Sequence, residues 1–295
     1  MDRRVIQHKK AADFIANYKT GIGGDRRILK YQMVADFIAD KINAQVETAI
    51  ILGSGLGKLA DEIENPIVIP YAEIPLFGHS TVAGHKGNLI FGQLSGKNIL
   101  AMQGRFHFYE GYNMKRITLP IRVFSLLGVK RLFVSNAAGG CNPDFQVGDL
   151  MLITDHINLM PNPLTGKNLD SFGVRFPDMT RAYDRNLMRI AEQAAEELHI
   201  QYKKGIYVGV TGASFETPAE YEFYRRIGGD AVGMSTVPEV IVARHCGMEV
   251  IGISVITNQA YNLSEDFENS HTDVMQAANQ AADTLSIWVK RILEL

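Results

Sequence analysis

The sequence predicts an α/β protein, a single domain with a central mixed β-sheet, twisted as sheets are, and flanked by helices. Three observations carry this. From Thr48 onward short apolar runs, several continuous and β-branched, alternate with stretches of helical period, the pattern of strands covered on both faces. No Ser/Pro-rich linker or run of charge divides the series. Polar and glycine-rich clusters follow the apolar runs, where open α/β sheets gather their ligands.

Composition narrows the class further. With 46% hydrophobic and 21% charged residues, the 295-residue chain has ample apolar material for a large core. Its formal charge of -2 argues against a nucleic-acid binder working through a broad basic face. No stretch approaches the ~20 apolar residues of a membrane span. The start, MDRRVIQHKK, lacks the apolar centre of a signal peptide. Two cysteines, Cys141 and Cys246, fit a reducing compartment better than a disulfide framework. The expectation is a cytoplasmic protein with no nucleic-acid or membrane partner.

Taken in order, the chain begins with a repeat. Asp2 to Asn17 (DRRVIQHKKAADFIAN) returns as Asp25 to Asp40 (DRRILKYQMVADFIAD), with Gly21-Ile-Gly-Gly24 between them. One duplication is too few for a solenoid. Residues 1–24 therefore read as an appended duplicate helix and residues 25–295 as the domain proper. The spacing then predicts strands over Ala49 to Leu52, Leu89 to Leu94, Ile99 to Met102, Arg131 to Val134, Leu150 to Ile153, Ile206 to Val210, Ala231 to Met234 and Val250 to Ile256. Helices are expected over Lys115 to Leu127, Tyr183 to Leu198, Pro218 to Ile227, Val237 to Cys246 and His271 to Leu293. The last shows one apolar stripe through Val274, Ala278, Ala281, Leu285, Trp288 and Ile292. Asp155 to Arg181 reads as a long loop, and the acidic stretch Gln259 to Ser270 as a lid.

The chemistry-bearing stretches sit between these elements. In MQGRFHFYEGY, Met102 to Tyr112, alternation in an extended chain sets Arg105, His107 and Tyr109 on one face. An Arg fork there suits phosphate or carboxylate. ILGSGLGKL, Ile51 to Leu59, offers a Gly-rich turn that fits neither a Walker A loop nor G-x-G-x-x-G, so a plain tight turn competes with an anion loop. A zinc site of His79, His85 and His107 lacks paired-ligand spacing. SNAAGG, Ser135 to Gly140, lets backbone approach a ligand closely. Thr217, Pro218 and Glu220 read as a capping box that leaves Phe215 and Glu216 at the sheet mouth; Thr236 and Glu239 read as another, beside Ser235. Ser270 reads as an N-cap with His271 in the first turn, where the helix dipole disfavours imidazolium. Asn258 closes a buried strand.

GSGLG, GHKG, QGRFHFYEGY, SNAAGG, GASFET, DAVGMSTVPEV and ITNQ together resemble the trimeric purine nucleoside phosphorylases in order and approximate spacing, from about Arg26 to the end. The resemblance implies the nucleoside phosphorylase fold, a homotrimer, and phosphorolysis of purine nucleosides such as inosine and guanosine for purine salvage. It also implies no metal and no organic cofactor, inorganic phosphate being a co-substrate. By position it implies that Ser54, His85, Arg105, Ala137 through its N–H, and Ser235 hold phosphate. Tyr109, Met234, His107 and His271 would line the ribose, with Phe176 crossing from a neighbouring subunit. Phe215, Glu216, Val232 and Asn258 would hold the base, and His107, Glu216 and Asn258 would serve the chemistry. Ala213 stands where the family commonly has Pro, and Gln259 where Lys is common.

The chemistry fits independently. Breaking an N-glycosidic bond builds oxocarbenium character on ribose and negative charge on the purine. Bound phosphate attacks C1′, so no protein nucleophile is needed; the protein positions phosphate and stabilises the leaving base. A purine nucleosidase would use water and leave the Ser, His and Arg anion set unexplained. A methylthioadenosine phosphorylase would carry Asp at position 258 and an apolar residue in place of His271. A dinucleotide oxidoreductase would need a third glycine, and a purine-binding transport or sensor protein would need no phosphate site.

Overall fold

The computed structural model describes residues 25, 27–54, 57–79, 82, 84–259 and 270–295. The N-terminal repeat copy and most of the acidic stretch read as a lid lie outside the described residues. In order come α1 (Leu29–Ile42), β1 (Thr48–Leu52), a 3-10 turn (Gly57–Glu62), β2 (Glu64–Pro70), β3 (Asn88–Leu94) and β4 (Lys97–Gln103). A second 3-10 turn (Phe108–Glu110) leads to α2 (Met114–Ile117), α3 (Leu119–Leu126), β5 (Arg131–Gly140) and β6 (Leu150–Asn158). The chain continues through α4 (Arg185–Glu197), β7 (Lys203–Gly209), α5 (Pro218–Arg226), β8 (Ala231–Gly233), α6 (Val237–His245), β9 (Glu249–Gln259) and α7 (His271–Glu294).

The strands form one mixed sheet in the order β2-β3-β4-β1-β5-β8-β7-β6-β9, and β5 also pairs with β9. That extra pairing closes β5, β8, β7, β6 and β9 into a ring, which the pattern of apolar runs does not disclose. β1, β4, β5 and β9 run parallel, so their carboxyl ends share one edge. Two buried clusters cover the sheet faces, one under α1, α3 and α6, the other under α4 and α7. The stripe expected on α7 is buried, and Trp288 donates its indole N–H to Ala191 O at 2.8 Å. Among the described residues no helix is long and apolar enough to cross a membrane.

Several boundaries differ from the sequence expectation, each for a physical reason. The strand expected to end at Val134 runs on through SNAAGG as β5, paired with β9 from Ser135↔Ile253 to Gly140↔Gln259. The Asp155 to Asn158 stretch, expected in the long loop, extends β6 against β7. β2 has no counterpart among the expected strands, because it is an exposed edge strand carrying Pro66 and Pro70, residues that suppress the strand signal. The helix expected over Lys115 to Leu127 is two, broken at Thr118 ahead of Pro120, which has no N–H to continue the ladder.

Candidate active site

One cavity of about 460 Å³ opens where the strand ends converge. Its walls include Ser54 beyond β1, Arg105 and His107 beyond β4, Ala137 within β5, Phe215 and Glu216 ahead of α5, Val232 to Ser235 at β8, Asn258 in β9 and His271 in α7. Every residue that the resemblance assigns to phosphate, ribose or base lines it except His85 and Phe176.

At one end lies a cation held by an acid. Arg105 is 1% exposed; its Nε donates to Glu239 Oε1 at 3.2 Å, and its Nη1 to Ser135 O at 2.7 Å and Ser235 Oγ at 3.2 Å. Gly53 permits this closeness, since a β-carbon there would lie 2.8 Å from Ser135 O and 3.3 Å from Arg105 Nη1. The second capping box is therefore a misreading. Thr236 makes no side-chain cap; its backbone has a positive φ of 68° at the centre of a tight turn in which Val237 N–H donates to Ser235 O at 2.7 Å, and its hydroxyl accepts from Asn136 Nδ2 at 2.9 Å. Glu239 is instead the buried counter-ion of Arg105. The Thr217–Glu220 box is present in full, and Ser270 Oγ accepts from Asp273 N as the N-cap of α7.

His85 stands behind Ser54 rather than in the wall. His85 Nδ1 lies 3.1 Å from the Arg105 backbone N–H and 3.4 Å from Arg105 O; the shorter contact favours the tautomer that keeps the ring proton on Nε2, 3.1 Å from Ser54 Oγ. Burial, with His107 and Arg105 nearby, pushes His85 down to about 3, so the ring is neutral and Ser54 is left free to donate its own proton into the cavity.

The middle of the cavity is set by a short constellation within one turn. Alternation brings Arg105, His107 and Tyr109 to a common space, though Phe108 to Glu110 is a 3-10 turn and not extended chain. Glu110, not assigned a role from the sequence, accepts from His107 N at 2.8 Å and from His107 Nδ1 at 3.0 Å. The carboxylate thereby fixes the tautomer and leaves Nε2 as an acceptor. Burial lowers His107 below its ordinary value, against the opposing pull of Glu110. Tyr109 stacks on the imidazole at 4.7 Å between centroids.

Glu216 and Asn258 line the same cavity. Burial raises the Glu216 carboxyl above its ordinary value. Asn258 accepts from Thr257 Oγ1 at 3.1 Å and donates through Nδ2 to Tyr221 Oη at 2.8 Å. Tyr221 is a participant with no local sequence signal, being one aromatic on an amphipathic helix.

Phe176 is 84% exposed beside Arg175 and reaches no part of its own chain's cavity. The alternating Phe172, Val174 and Phe176 do not act alike: Phe172 is buried against Tyr31, with Arg122 over its ring, while Val174 is exposed.

Residues 47–294 match the phosphorylase superfamily. The chain is 56% identical over 245 residues to purine nucleoside phosphorylase 1 of Bacillus subtilis, covering 83% of this chain and 90% of that one. The solved structure of Schistosoma mansoni purine nucleoside phosphorylase in complex with adenosine superposes with a TM-score of 0.86 at 45% identity, covering 90% of this chain and 97% of that chain. The same enzyme in complex with inosine gives 0.85 at 44% identity, covering 90% and 95%. A cavity with a guanidinium and hydroxyls at one end and a carboxylate and an amide at the other accords with these likenesses: the chain belongs to the phosphorylase superfamily and, within it, to the purine nucleoside phosphorylases, pentosyltransferases that cleave purine nucleosides with phosphate.

Proposed function

We propose that the chain works on 6-oxopurine nucleosides, inosine and guanosine with their 2′-deoxy forms, releasing free base and pentose 1-phosphate. The observation that carries this is the polarity of the cavity at the strand ends, cationic at Arg105 and carboxylate-bearing at Glu216. In this reading phosphate lies on Arg105, Ser54, Ser235 and the Ala137 N–H, with His85 acting through Ser54. His107 Nε2 accepts a hydrogen bond from the phosphate or a ribose hydroxyl, and Tyr109, Met234 and His271 border the sugar. Phe215 and Val232 flank the purine. Glu216, accepting only, matches N1–H; Asn258 donates to N7 or O6 as charge develops on the leaving base. No metal or organic cofactor takes part.

The Schistosoma relative holds adenosine as well as inosine. Discrimination therefore belongs in the specificity constant, where only interactions stronger in the transition state count. The exposed Phe176 fits a homotrimer in which it covers a neighbour's ribose. Residues 1–24 are an appendage to the catalytic unit 25–295, and the setting is cytoplasmic. The test is release of hypoxanthine from inosine with and without phosphate. Phosphate-dependent release, with adenosine far slower, is expected; release that ignores phosphate would instead mark a nucleosidase.

A further inference from the structure

The two groups that face the base are joined by a third side chain outside the cavity wall. Tyr221, on α5, is buried among Cys141, Val208, Tyr224 and Val232. Its hydroxyl accepts from Asn258 Nδ2 at 2.8 Å, and it acts on the neighbouring Glu216 carboxyl, holding it down against the upward push of burial. Gly139 makes room for the arrangement: a β-carbon there would lie 2.7 Å from Tyr221 Oη and 3.1 Å from Asn258 Nδ2.

An ionised Glu216 sets the direction of these bonds. A phenol has one proton to give and lone pairs to receive with, while an ionised carboxylate only accepts. The Tyr221 proton therefore goes to Glu216, and the phenol oxygen shows Asn258 lone pairs alone. Asn258 must meet it with its NH2 group, and its oxygen is taken by the Thr257 hydroxyl at 3.1 Å. Turning the amide end for end would set carbonyl oxygen against phenol oxygen and leave buried groups unpaired. The second N–H of the same nitrogen stays available to the purine.

We propose that Tyr221 is a positioning residue that sets the donor sense of Asn258 from the charge on Glu216, so that the base pocket selects an acceptor at the purine 6-position as one unit. This rests on the reading given under Proposed function. Nothing in it needs Tyr221 to touch the substrate. A purine with a 6-amino group meets a donor at Asn258 and an acceptor-only group at its bare N1, and neither end adjusts alone.

The test is Tyr221→Phe, which keeps the ring and its packing and removes the oxygen. Specificity constants for inosine and adenosine are measured in the wild-type and the Asn258→Ala backgrounds. In the wild-type background the inosine constant should fall about tenfold, the scale of one hydrogen bond within a charged network. The inosine-to-adenosine ratio should narrow and the KM for phosphate should hold. In the Asn258→Ala background the ratio should no longer respond, because no amide remains to be oriented. The acid limb of kcat/KM for inosine should also move to higher pH, since Glu216 loses a bond that favours its ionised form. The other titratable groups acting on Glu216, namely Glu220, Cys141 and Tyr224, are unchanged in the variant. An unchanged ratio in Tyr221→Phe, or equal narrowing in both backgrounds, overturns the inference. Failure of the wild type to cleave inosine would instead defeat the reading of the site on which it rests.

Discussion

Glu239→Gln separates charge balance from shape at the anion end of the cavity. Arg105 and Glu239 lie 3.2 Å apart with side chains 1% and 4% exposed, so the pair is screened by almost no water. Gln keeps the volume and one acceptor but leaves the guanidinium charge uncompensated. Breaking a buried pair from one side costs about 3–5 kcal/mol; with a hydrogen bond retained, the lower end, about 3 kcal/mol, is the working figure. For a chain of 295 residues, at about 2.1 cal/mol/K per residue, that lowers Tm by about 5 °C. Phosphate brings the missing negative charge back. The variant should therefore bind phosphate more tightly, by about tenfold if roughly 1.4 kcal/mol of the penalty is recovered on binding. Its Tm deficit should shrink as phosphate is added, because a ligand that binds only the folded state stabilises it. Thermal melts across a phosphate titration, paired with the phosphate KM at saturating inosine, read both quantities. A Tm equal to wild type without phosphate would refute the charge argument. So would a deficit that phosphate leaves untouched, since Glu239 would then serve only to aim the guanidinium.

Phe176→Ala should raise the KM for inosine severalfold and leave the phosphate KM near wild type; if the proposed trimer forms, mixing it with a second, catalytically dead variant should restore some activity in hybrid assemblies, and no recovery would mean that the loop does not serve a neighbouring site. His85 titrates near 3 in the folded protein against about 6.5 unfolded. Between those values the unfolded chain binds more protons, so stability rises with pH through that window: it is complete above about 6.5 and is lost as pH falls toward 3. Denaturant midpoints measured from pH 4 to 7 should show a shallower slope in His85→Gln than in wild type, and identical slopes would remove His85 as a contributor. Deleting residues 1–24 should leave inosine phosphorolysis and the proposed trimer intact, by activity and sedimentation; a deletion product that dissociates would make the appended copy an interface element.

The parts of the fold that were legible are those where local pattern and tertiary role coincide. Ile50, Ile51, Leu100 and Ala101 sit in central strands covered on both faces, and continuous apolar runs announce such strands. β2 is exposed and proline-bearing, and so carries no such mark. The site follows the same logic. Ser54, Arg105 and Asn258 belong to strand ends, where a polar residue closing an apolar run is conspicuous, and sheet topology alone gathers them into one cavity.

What local pattern hides is the supporting shell, because its meaning depends on partners far along the chain. Thr236 and Glu239 fit a capping box by spacing, yet Glu239 answers a guanidinium 134 positions away. A cap is a contact of three residues, and a buried cation nearby outbids it: leaving Arg105 unpaired would cost about 3–5 kcal/mol, against typically ~1 kcal/mol for a missing cap. Tyr221 is 37 positions from Asn258 and looks like any aromatic on a half-buried helix until β5 and β9 pair and bring Gly139 alongside. The residues that meet the substrate are marked by where they stand in the chain. Those that decide how such residues are oriented are marked only by the cost of leaving a buried charge or proton unanswered, and that cost exists only once the sheet has closed.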